Sequence, residues 1–296
     1  MKNKLSSGIC VQIWSKIIFI LVILLNANMI ECKSAQAADF ALISVEHLQK
    51  NMSQWTILDA RPKAEFQAAH LPGAFCFSWE DFTKTDKIGV AHRILPPEKL
   101  AAALGNMGMD RKTSVVVYGD ADTSWGGEGW VSWVLTWLGH KGQIRVLDGG
   151  IQAWTEKQFV LVTGNADSAI FPKLYNFSID NSINITSADI KKNRTDLQLV
   201  DTRSFLERIK GRISGAVYIS WKSFYKGKKR HPRSSSEIVK LLEKKGIDLQ
   251  KPVVYYCTGG IRSAYAWMVH KLALPELSVV INYEGGMEEW SRADDF

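Results

Sequence analysis

The chain repeats one series of short motifs, in the same order, in its two halves, and this repeat constrains the fold more than any other feature. The paired motifs are LDAR at 58–61 with VDTR at 200–203, GA at 73–74 with 215–216, SW at 78–79 with 220–221, VVVY at 115–118 with VVYY at 253–256, and DGGIQAW at 148–154 with EGGMEEW at 284–290. Such a repeat indicates two domains of ordinary size built on one plan. We expect domains at 38–161 and 187–296, joined by a polar surface linker at 162–186.

Each copy alternates short apolar, β-branched runs with helical segments. In the first copy we expect strands at 55–59, 75–77, 114–118 and 144–147, and helices at 62–70, 97–104, 127–138 and 150–156. In the second copy a helix is expected at 264–272. Alternation with almost continuously apolar strands is typical of a parallel sheet with helices on both faces. The predicted fold class is therefore α/β, with two tandem domains that each contain a mostly parallel sheet.

The first 37 residues are predicted to be a secretory signal, outside the folded domains. Lysines flank an apolar run at 17–25, and Ala35 and Ala37 frame a cleavage site of the A-x-A type. The run is shorter than the roughly 20 residues that span a membrane, although an uncleaved anchor is the alternative. We expect a periplasmic or secreted protein with no membrane association after cleavage.

Composition and charge narrow the class further. The chain has 46% hydrophobic and 23% charged residues, as globular proteins do. Its formal net charge of +7 includes four lysines and one glutamate from the first 37 residues, so the remainder carries +4. That charge is too small to indicate a nucleic-acid partner. Two cysteines, Cys76 and Cys257, follow the predicted signal; they could form a disulfide, but the surroundings of Cys257 favour a reactive thiol.

The segment 253–263 runs from four β-prone residues into Cys257, two glycines, an arginine and a serine. A strand that ends on a cysteine and turns directly into a helix puts the thiol at a helix N-terminus, where unpaired N–H groups favour the thiolate. Gly259 and Gly260 let the loop curl around the sulfur. A buried cysteine in an ordinary turn is the alternative, but it does not account for the glycines and the Arg262-Ser263 pair that follow.

These motifs resemble the rhodanese family of sulfurtransferases in its tandem form, over nearly all of the chain beyond residue 37. The resemblance is carried by 59–61, 65–66 and 70–74 for a first signature, 147–154 for a closing signature, and 257–263 (CTGGIRS) for the active loop. It implies that the second domain is catalytic and the first is not. Gly119 stands where Cys257 stands in the second copy, so the first copy has no thiol at this position.

The resemblance also implies a reaction and a set of site residues. Cys257 takes a sulfane sulfur from a small anionic donor, thiosulfate or 3-mercaptopyruvate, as a persulfide and passes it to cyanide or a thiol, without a metal or organic cofactor. The implied active-loop and substrate-binding residues are Thr258, Gly259, Gly260, Ile261, Arg262, Ser263 and Arg208. Arg208 is included because it lies near the position of a substrate-binding arginine in tandem members.

The loop itself leaves the donor open. Thr258-Gly259 lacks the basic residues of thiosulfate-selective members and is nearer to mercaptopyruvate enzymes, whereas Ile261-Arg262-Ser263 departs from the Val-Thr type ending of those enzymes. Arg262 either binds the donor anion or braces the loop from outside.

Two other functions are compatible with a reactive cysteine: a persulfide carrier for a specific partner, and a phosphatase on a related fold. Phosphatase loops place five residues between cysteine and arginine in order to wrap a phosphate. Here four residues (258–261) separate Cys257 from Arg262, which favours sulfur transfer over phosphoryl transfer.

Three more features allow two interpretations each. The basic run at 225–233 is either a solvated loop or a cationic rim that attracts anionic donors to the cleft. Trp125 either forms a lip over the substrate or belongs to a core. Cys76 is expected to be buried and inert, with a redox partnership with Cys257 as the alternative. The paired charges Asp59/Arg61 and Asp201/Arg203 are expected to hold strand ends.

Overall fold

The computed structural model describes residues 39–165, 171–276 and 279–293, so the predicted signal at 1–37 lies outside the described residues. The elements of the first copy are β1 (Phe40–Ile43), α1 (Val45–Lys50), β2 (Thr56–Asp59), α2 (Lys63–Ala68), β3 (Ala74–Cys76), α3 (Trp79–Phe82), β4 (Thr83–Lys84), β5 (Arg93–Ile94), α4 (Pro97–Asn106), β6 (Val115–Tyr118), α5 (Gly127–Trp137), β7 (Ile144–Leu147) and α6 (Gly150–Glu156). None of the helices in the described ranges is long and apolar enough to cross a bilayer.

The second copy follows a similar order. Its elements are α7 (Ser187–Lys192), β8 (Gln198–Asp201), α8 (Phe205–Lys210), β9 (Val217–Tyr218), β10 (Tyr225–Lys226), β11 (His231–Pro232), α9 (Ser235–Lys244), β12 (Val253–Tyr256), α10 (Ile261–Ala273), β13 (Val280–Tyr283) and α11 (Gly286–Trp290). Single 3-10 turns occur at Met52–Gln54, Asn181–Ile183 and Trp221–Phe224. The predicted helix at 264–272 is thus present, but it begins earlier, at Ile261.

Each copy contains one parallel sheet. The strand order is β1-β7-β6-β2-β3 in the first copy and β13-β12-β8-β9 in the second, with every neighbouring pair parallel. Two short antiparallel hairpins, β4–β5 and β10–β11, stand apart from these sheets. The predicted α/β fold with two mostly parallel sheets is confirmed. The sequence pattern missed β1, α1 and both hairpins.

Helices cover both faces of each sheet, and the central strands therefore feed two cores. In β6, Val115 and Val117 point into a core shared by the two copies, whereas Val116 and Tyr118 point into an outer core of the first copy. Strand β12 shows the same alternation between the shared core and an outer core of the second copy. Because successive strand residues face opposite sides, a strand covered on both sides must be apolar throughout.

The shared core is built around α5 and α10, which pack against each other between the two sheets. Their backbones approach so closely at Gly129 that a Cβ atom there would overlap the backbone of Tyr265. Trp130, Trp133 and Trp267 are fully buried around this contact. The two copies therefore form one compact body.

The segment between the copies is tied to the first one. The Lys173 amide donates to the Gly105 carbonyl (2.9 Å), and the Ser178 amide donates to the Leu138 carbonyl (3.0 Å). Tyr175 is buried, with its hydroxyl 2.9 Å from Nδ1 of His140. The polar composition of this segment did not predict a buried tyrosine.

Buried ion pairs hold the carboxyl ends of β2 and β8. Arg203 donates to Asp201 (2.7 Å) and to the carbonyl of Gly211 (2.7 Å), and the Tyr256 hydroxyl donates to Asp201 (3.0 Å). The first copy has the same arrangement around Asp59. These charges are paired within their own copies, which confirms the structural role expected for them.

Gly129→Val is expected to destabilise both copies together, because the added side chain meets the backbone of Tyr265 across the shared core. Overpacking of this kind costs about 1–3 kcal/mol, and a rigid backbone neighbour favours the upper end. A thermal melt followed by circular dichroism measures the effect, and one transition is expected. Ala102→Val, at an exposed position of α4, is the control. Two separated transitions, or a melting temperature equal to that of the control, would contradict the shared core.

Candidate active site

A cleft of about 340 Å³ opens beside the carboxyl end of β12, where the two copies meet. Its lining residues come from both copies: Trp79, His92 and Trp125 from the first, and Glu207, Cys257, Thr258, Gly259, Ile261 and Arg262 from the second. Parallel α/β sheets place ligands at this end of their strands. The cleft is therefore the candidate active site, and it contains most of the loop residues predicted from the sequence.

Cys257 lies between β12 and the N-terminus of α10, as the strand–cysteine–helix pattern predicts. Its side chain is 1% exposed. Gly260 caps the helix in the left-handed region (φ 83°), and a Cβ atom there would lie 2.5 Å from the carbonyl of Glu284. Only glycine fits this backbone. The first amides of α10 have no partner within the helix, so the N-terminus favours negative charge on a nearby sulfur.

Ser263 and Asn282 stand behind the sulfur, and both are fully buried. The Ser263 hydroxyl lies 3.6 Å from Cys257 Sγ and donates to Asn282 Oδ1 at 2.6 Å. Asn282 in turn donates to the carbonyl of Gly260 (3.2 Å). The serine has one proton to donate, so the shorter bond to Asn282 dominates and fixes the hydroxyl beside the thiol. The motif reading from sequence included Ser263 but missed Asn282, which lies on the neighbouring strand β13.

The closing motif at 284–290 holds the other side of the loop. The amide of Met287 donates to the Cys257 carbonyl (2.9 Å), and that of Glu288 donates to the Thr258 carbonyl (3.0 Å). Gly286 permits this approach, since a Cβ atom there would lie 2.5 Å from the Thr258 carbonyl. The motif therefore fixes the backbone on which Cys257 sits.

Arg262 is held by Glu207 at the wall of the cleft. Its guanidinium donates to both Glu207 oxygens (2.7 and 2.6 Å) and to Thr258 Oγ1 (2.8 Å), and it lies 5.6 Å from the ring centre of Trp125. Thr258 also donates to Glu207 (2.7 Å). Of the two roles expected for Arg262, this geometry favours bracing of the loop.

The pKa values follow from this pairing. Burial disfavours the charged form of Arg262, but Glu207 and the neighbouring Cys257 outweigh it and raise the guanidinium pKa. Burial alone would raise the pKa of Glu207, but hydrogen bonds from Arg262, Ser204 and Thr258 hold it well below its ordinary value. The charges of Arg262 and Glu207 therefore neutralise each other at the cleft wall. The side chains that the first copy adds to this wall are aromatic.

The first copy covers the active loop with its hairpin β4–β5. His92 takes a left-handed backbone (φ 61°) and packs so close that a Cβ atom on Gly259 would lie 2.7 Å from the His92 Cβ. The next residue, Arg93, pairs with Glu284 and Glu289 (both 2.7 Å). His92 was missed in the sequence because no motif marks the hairpin.

In the equivalent loop of the first copy, the side chain of Glu128 would have to move to admit a cysteine. A Cβ atom on Gly119 would overlap Oε2 of Glu128, a buried carboxyl to which Ser124 donates (3.2 Å). Burial, together with the nearby Asp120, raises the pKa of Glu128 to about 7. A carboxyl group thus occupies the space that a cysteine side chain needs.

The basic run at 225–233 lies over the Gly119 loop of the first copy, which has no cysteine. Arg230 pairs with Asp122, Lys229 pairs with Glu156, and His231 Nδ1 lies 2.7 Å from Asp148. Arg230, like His92, precedes the second strand of its hairpin and has a left-handed backbone (φ 53°). These side chains hold the two copies together and do not line the Cys257 cleft, so the interpretation as a cationic rim of the cleft is wrong.

Three other expectations have clear outcomes. Arg208 is absent from the lining of the cleft and lies instead 5.5 Å from the ring centre of Tyr218, because it is its neighbour Glu207 that faces the active loop. Trp125 is 52% exposed and lines the cleft, so it belongs to the lip and not to a core. Cys76 is half-buried, and burial together with Asp59 raises its pKa to about 12, as expected of an inert thiol. Neither Cys76 nor Cys257 is in a disulfide.

The described part of the chain offers no cluster of side chains suited to a metal ion. No group of three or more His, Cys, Asp or Glu side chains within 39–165, 171–276 and 279–293 is placed to hold a metal ion.

A family model described as the rhodanese-like domain matches the chain twice, at 44–157 and 184–293. The chain belongs to the rhodanese-like family. The resemblance drawn from the sequence is therefore confirmed, and the Cys257 loop lies in the second of the two rhodanese-like domains.

Several proteins that are similar to this chain have names that describe sulfur chemistry. Human 3-mercaptopyruvate sulfurtransferase is 28% identical over 248 residues, covering 78% of this chain and 80% of the human protein. The sulfur carrier protein TtuD of Thermus thermophilus is 29% identical over 254 residues, covering 77% and 84%. The crystal structure of SseA from Escherichia coli, described as a 3-mercaptopyruvate sulfotransferase with the rhodanese fold, matches with a TM-score of 0.72 at 19% identity, over 84% of this chain and 98% of SseA. At 19% identity, the similarity to SseA shows a common fold.

Glu207→Gln is expected to destabilise the active loop, because it leaves the Arg262 guanidinium partly buried without its carboxylate. We expect a melting temperature lower by a few degrees at pH 7. The pKa of Glu207 is lower in the folded state than in the unfolded chain. The wild type is therefore more stable than the variant by the full amount above about pH 4.3, the ordinary glutamate pKa, and this difference in stability is lost as the pH falls further. Thermal melts between pH 3 and pH 7 measure it. Glu65→Gln, the exposed equivalent on α2, is the control, and an equal effect in both variants would contradict the bracing role.

Glu128→Gln is expected to stabilise the protein at high pH only. The folded state keeps a proton on Glu128 up to about pH 7, whereas the unfolded chain releases it near pH 4.3, so the wild type loses stability as the pH rises through this range. Glutamine stays uncharged throughout. We expect equal melting temperatures at pH 4.5 and a variant higher by about 5 °C at pH 8. Glu98→Gln, exposed on α4, is the control; a difference that does not change with pH would argue against a buried protonated carboxyl.

Proposed function

We propose that the protein is a sulfurtransferase that moves a sulfane sulfur from a small donor, thiosulfate or 3-mercaptopyruvate, to cyanide or a thiol through a persulfide on Cys257. The observation that carries this proposal is the position of Cys257, buried at the floor of a cleft and just before the N-terminus of α10. Membership of the rhodanese-like family and the names of its relatives support the general reaction.

In the first step the Cys257 thiolate attacks the outer sulfur of thiosulfate. A new S–S bond forms, the bond between that sulfur and the sulfonate sulfur breaks, and sulfite leaves with the electron pair. With 3-mercaptopyruvate the carbon–sulfur bond breaks instead, and the pyruvate enolate leaves and takes up a proton. The helix N-terminus stabilises negative charge on the outer sulfur of the persulfide.

In the second step the acceptor attacks the outer sulfur of the persulfide. Cyanide leaves as thiocyanate, or a thiolate leaves as a persulfide, and the Cys257 thiolate is restored as the S–S bond breaks. Ser263, fixed by Asn282 at 3.6 Å from Cys257 Sγ, is placed to donate a hydrogen bond to the thiolate when its proton turns towards the sulfur.

The charges of the cleft bear on the donor. The guanidinium of Arg262 is engaged by Glu207 and Thr258, so a dianion such as thiosulfate meets a wall with little net positive charge. The monoanion 3-mercaptopyruvate has less charge to desolvate, and we propose it as the better of the two donors.

The predicted signal at 1–37 supports a location in the periplasm or outside the cell.

A second candidate is a persulfide carrier that turns over small donors slowly and delivers sulfur to a specific protein. The relative TtuD is named a sulfur carrier, and the burial of Cys257 protects a persulfide from solvent.

Assays with each donor and cyanide, beside Cys257→Ser, test the proposal. We expect turnover that is lost at least 1,000-fold in the variant, and a mass gain of one sulfur on the wild type after exposure to donor alone. Cys76→Ser is the matched control and is expected to keep full activity, because its thiol is inert. A stable persulfide with negligible turnover would favour the carrier. Phosphate release from an aryl phosphate, lost in Cys257→Ser, would overturn sulfur transfer in favour of a phosphatase.

A further inference from the structure

Helix α8, which carries Glu207 of the Cys257 cleft, exposes three large apolar side chains. Phe205, Leu206 and Ile209 are 59%, 71% and 61% exposed, and α8 contains no buried residue. Scattered exposed apolar residues need no explanation, but a cluster on one turn of helix beside a functional site is typical of an interaction surface. We call these three residues and the basic residues Lys210 and Arg212 the α8 patch.

The first copy supplies an internal comparison. Its equivalent helix, α2, buries Phe66 against the sheet and exposes Lys63, Ala64 and Gln67 at the positions of Phe205, Leu206 and Ile209. In α8 the pattern is inverted, because Arg208 replaces Phe66 and lies over Tyr218. The fold therefore does not need apolar side chains at these exposed positions.

Lys210 connects the patch to the active loop. Glu207, on the same helix, binds Thr258 and Arg262. A second groove of about 260 Å³ runs from Lys210 past Thr258 to Glu288 on α11. Because Leu206 and Lys210 are i,i+4 neighbours on α8, a molecule that rests on Leu206 lies beside the groove that leads to Thr258.

The charge of the patch restricts the occupant. Lys210 and Arg212 are exposed and form no ion pair with any described residue, and Glu207 is committed to Arg262. A second copy of this chain would bring two basic patches together, which like charges disfavour. An apolar strip flanked by carboxylates is complementary to the patch.

We propose that the α8 patch is the docking surface for an acceptor protein that has an apolar strip with acidic flanks and carries its own thiol to Cys257. The proposal rests on the sulfur transfer proposed above. The thiolate of the partner attacks the outer sulfur of the Cys257 persulfide, the S–S bond to Cys257 breaks, and Cys257 leaves as a thiolate while the partner keeps the persulfide. The proton of the partner thiol goes to solvent.

The test uses the full chain and a triple variant, Phe205→Lys/Leu206→Ala/Ile209→Gln, which gives α8 the exposed residues of α2. The control triple variant, Val160→Gln/Phe171→Lys/Leu174→Ala, removes exposed apolar side chains elsewhere. The probes are two short cysteine peptides with the same Leu-Phe strip, one flanked by glutamates and one by lysines. Transfer is measured from a preformed Cys257 persulfide to each peptide and to cyanide.

We expect kcat/KM for the glutamate peptide to exceed that for the lysine peptide at least tenfold, with a smaller preference at 0.5 M salt. The α8 variant keeps Lys210 and Arg212 but lacks the apolar side chains, so it is expected to transfer sulfur to the glutamate peptide at least tenfold more slowly than the wild type while it keeps its rate with cyanide. The control variant is expected to keep both rates. Equal rates for the two peptides with the wild type, or equal losses in both variants, overturn the proposal.

Direct binding separates the docking surface from the reaction. Serine versions of both peptides, labelled for fluorescence anisotropy, are expected to bind in the same order without any sulfur transfer. Failure of cyanide to discharge the persulfide defeats the proposed function and leaves this binding test intact. Binding of wild type to phosphatidylglycerol-containing vesicles that is lost in the α8 variant would assign the patch to a membrane instead. A wild-type dimer that is lost in the α8 variant would assign it to self-association.

Discussion

The close packing of α5 against α10 is the contact on which the rest of the molecule depends. Gly129 and Tyr265 bring the two helices together between the sheets, so the carboxyl ends of both sheets meet across one core. From this position each copy extends a hairpin over the loop of the other. The active loop is thus a product of both copies, with His92 and Arg93 from one meeting Gly259 and Glu284 from the other.

The two loops show how one plan yields two environments. In the second copy the helix N-terminus follows Cys257 closely, and Glu207 neutralises Arg262 at the wall. In the first copy a buried carboxyl, Glu128, occupies the equivalent space. The covering hairpin brings Arg230, Lys229 and His231 to Asp122, Glu156 and Asp148, respectively. The same hairpin position therefore serves the cleft in one case and holds the copies together in the other.

The sequence predicted what depends on local pattern and repetition: two parallel α/β sheets, the strand before Cys257, the helix after it, and the paired charges at the strand ends. It did not predict the partners of the loop, because Asn282, His92 and Glu207 belong to no motif and reach the site only through strand pairing and packing of the copies. Arg208 is predicted to bind the substrate because it lies near the position of a substrate-binding arginine in tandem members. Neighbouring positions of a helix face different directions, and Glu207 has the direction that reaches the loop. The basic run at 225–233 was ambiguous because its acidic partners are distant in the chain.

The carboxyl group behind Gly119 makes the first loop unlike the second. A cysteine at position 119 would meet the Glu128 carboxyl, and the loop before Gly126 is longer than its counterpart (120–125 against 258–259). The first copy therefore contributes to the site without a thiol of its own, through the wall, the hairpin and the core that it provides to the second.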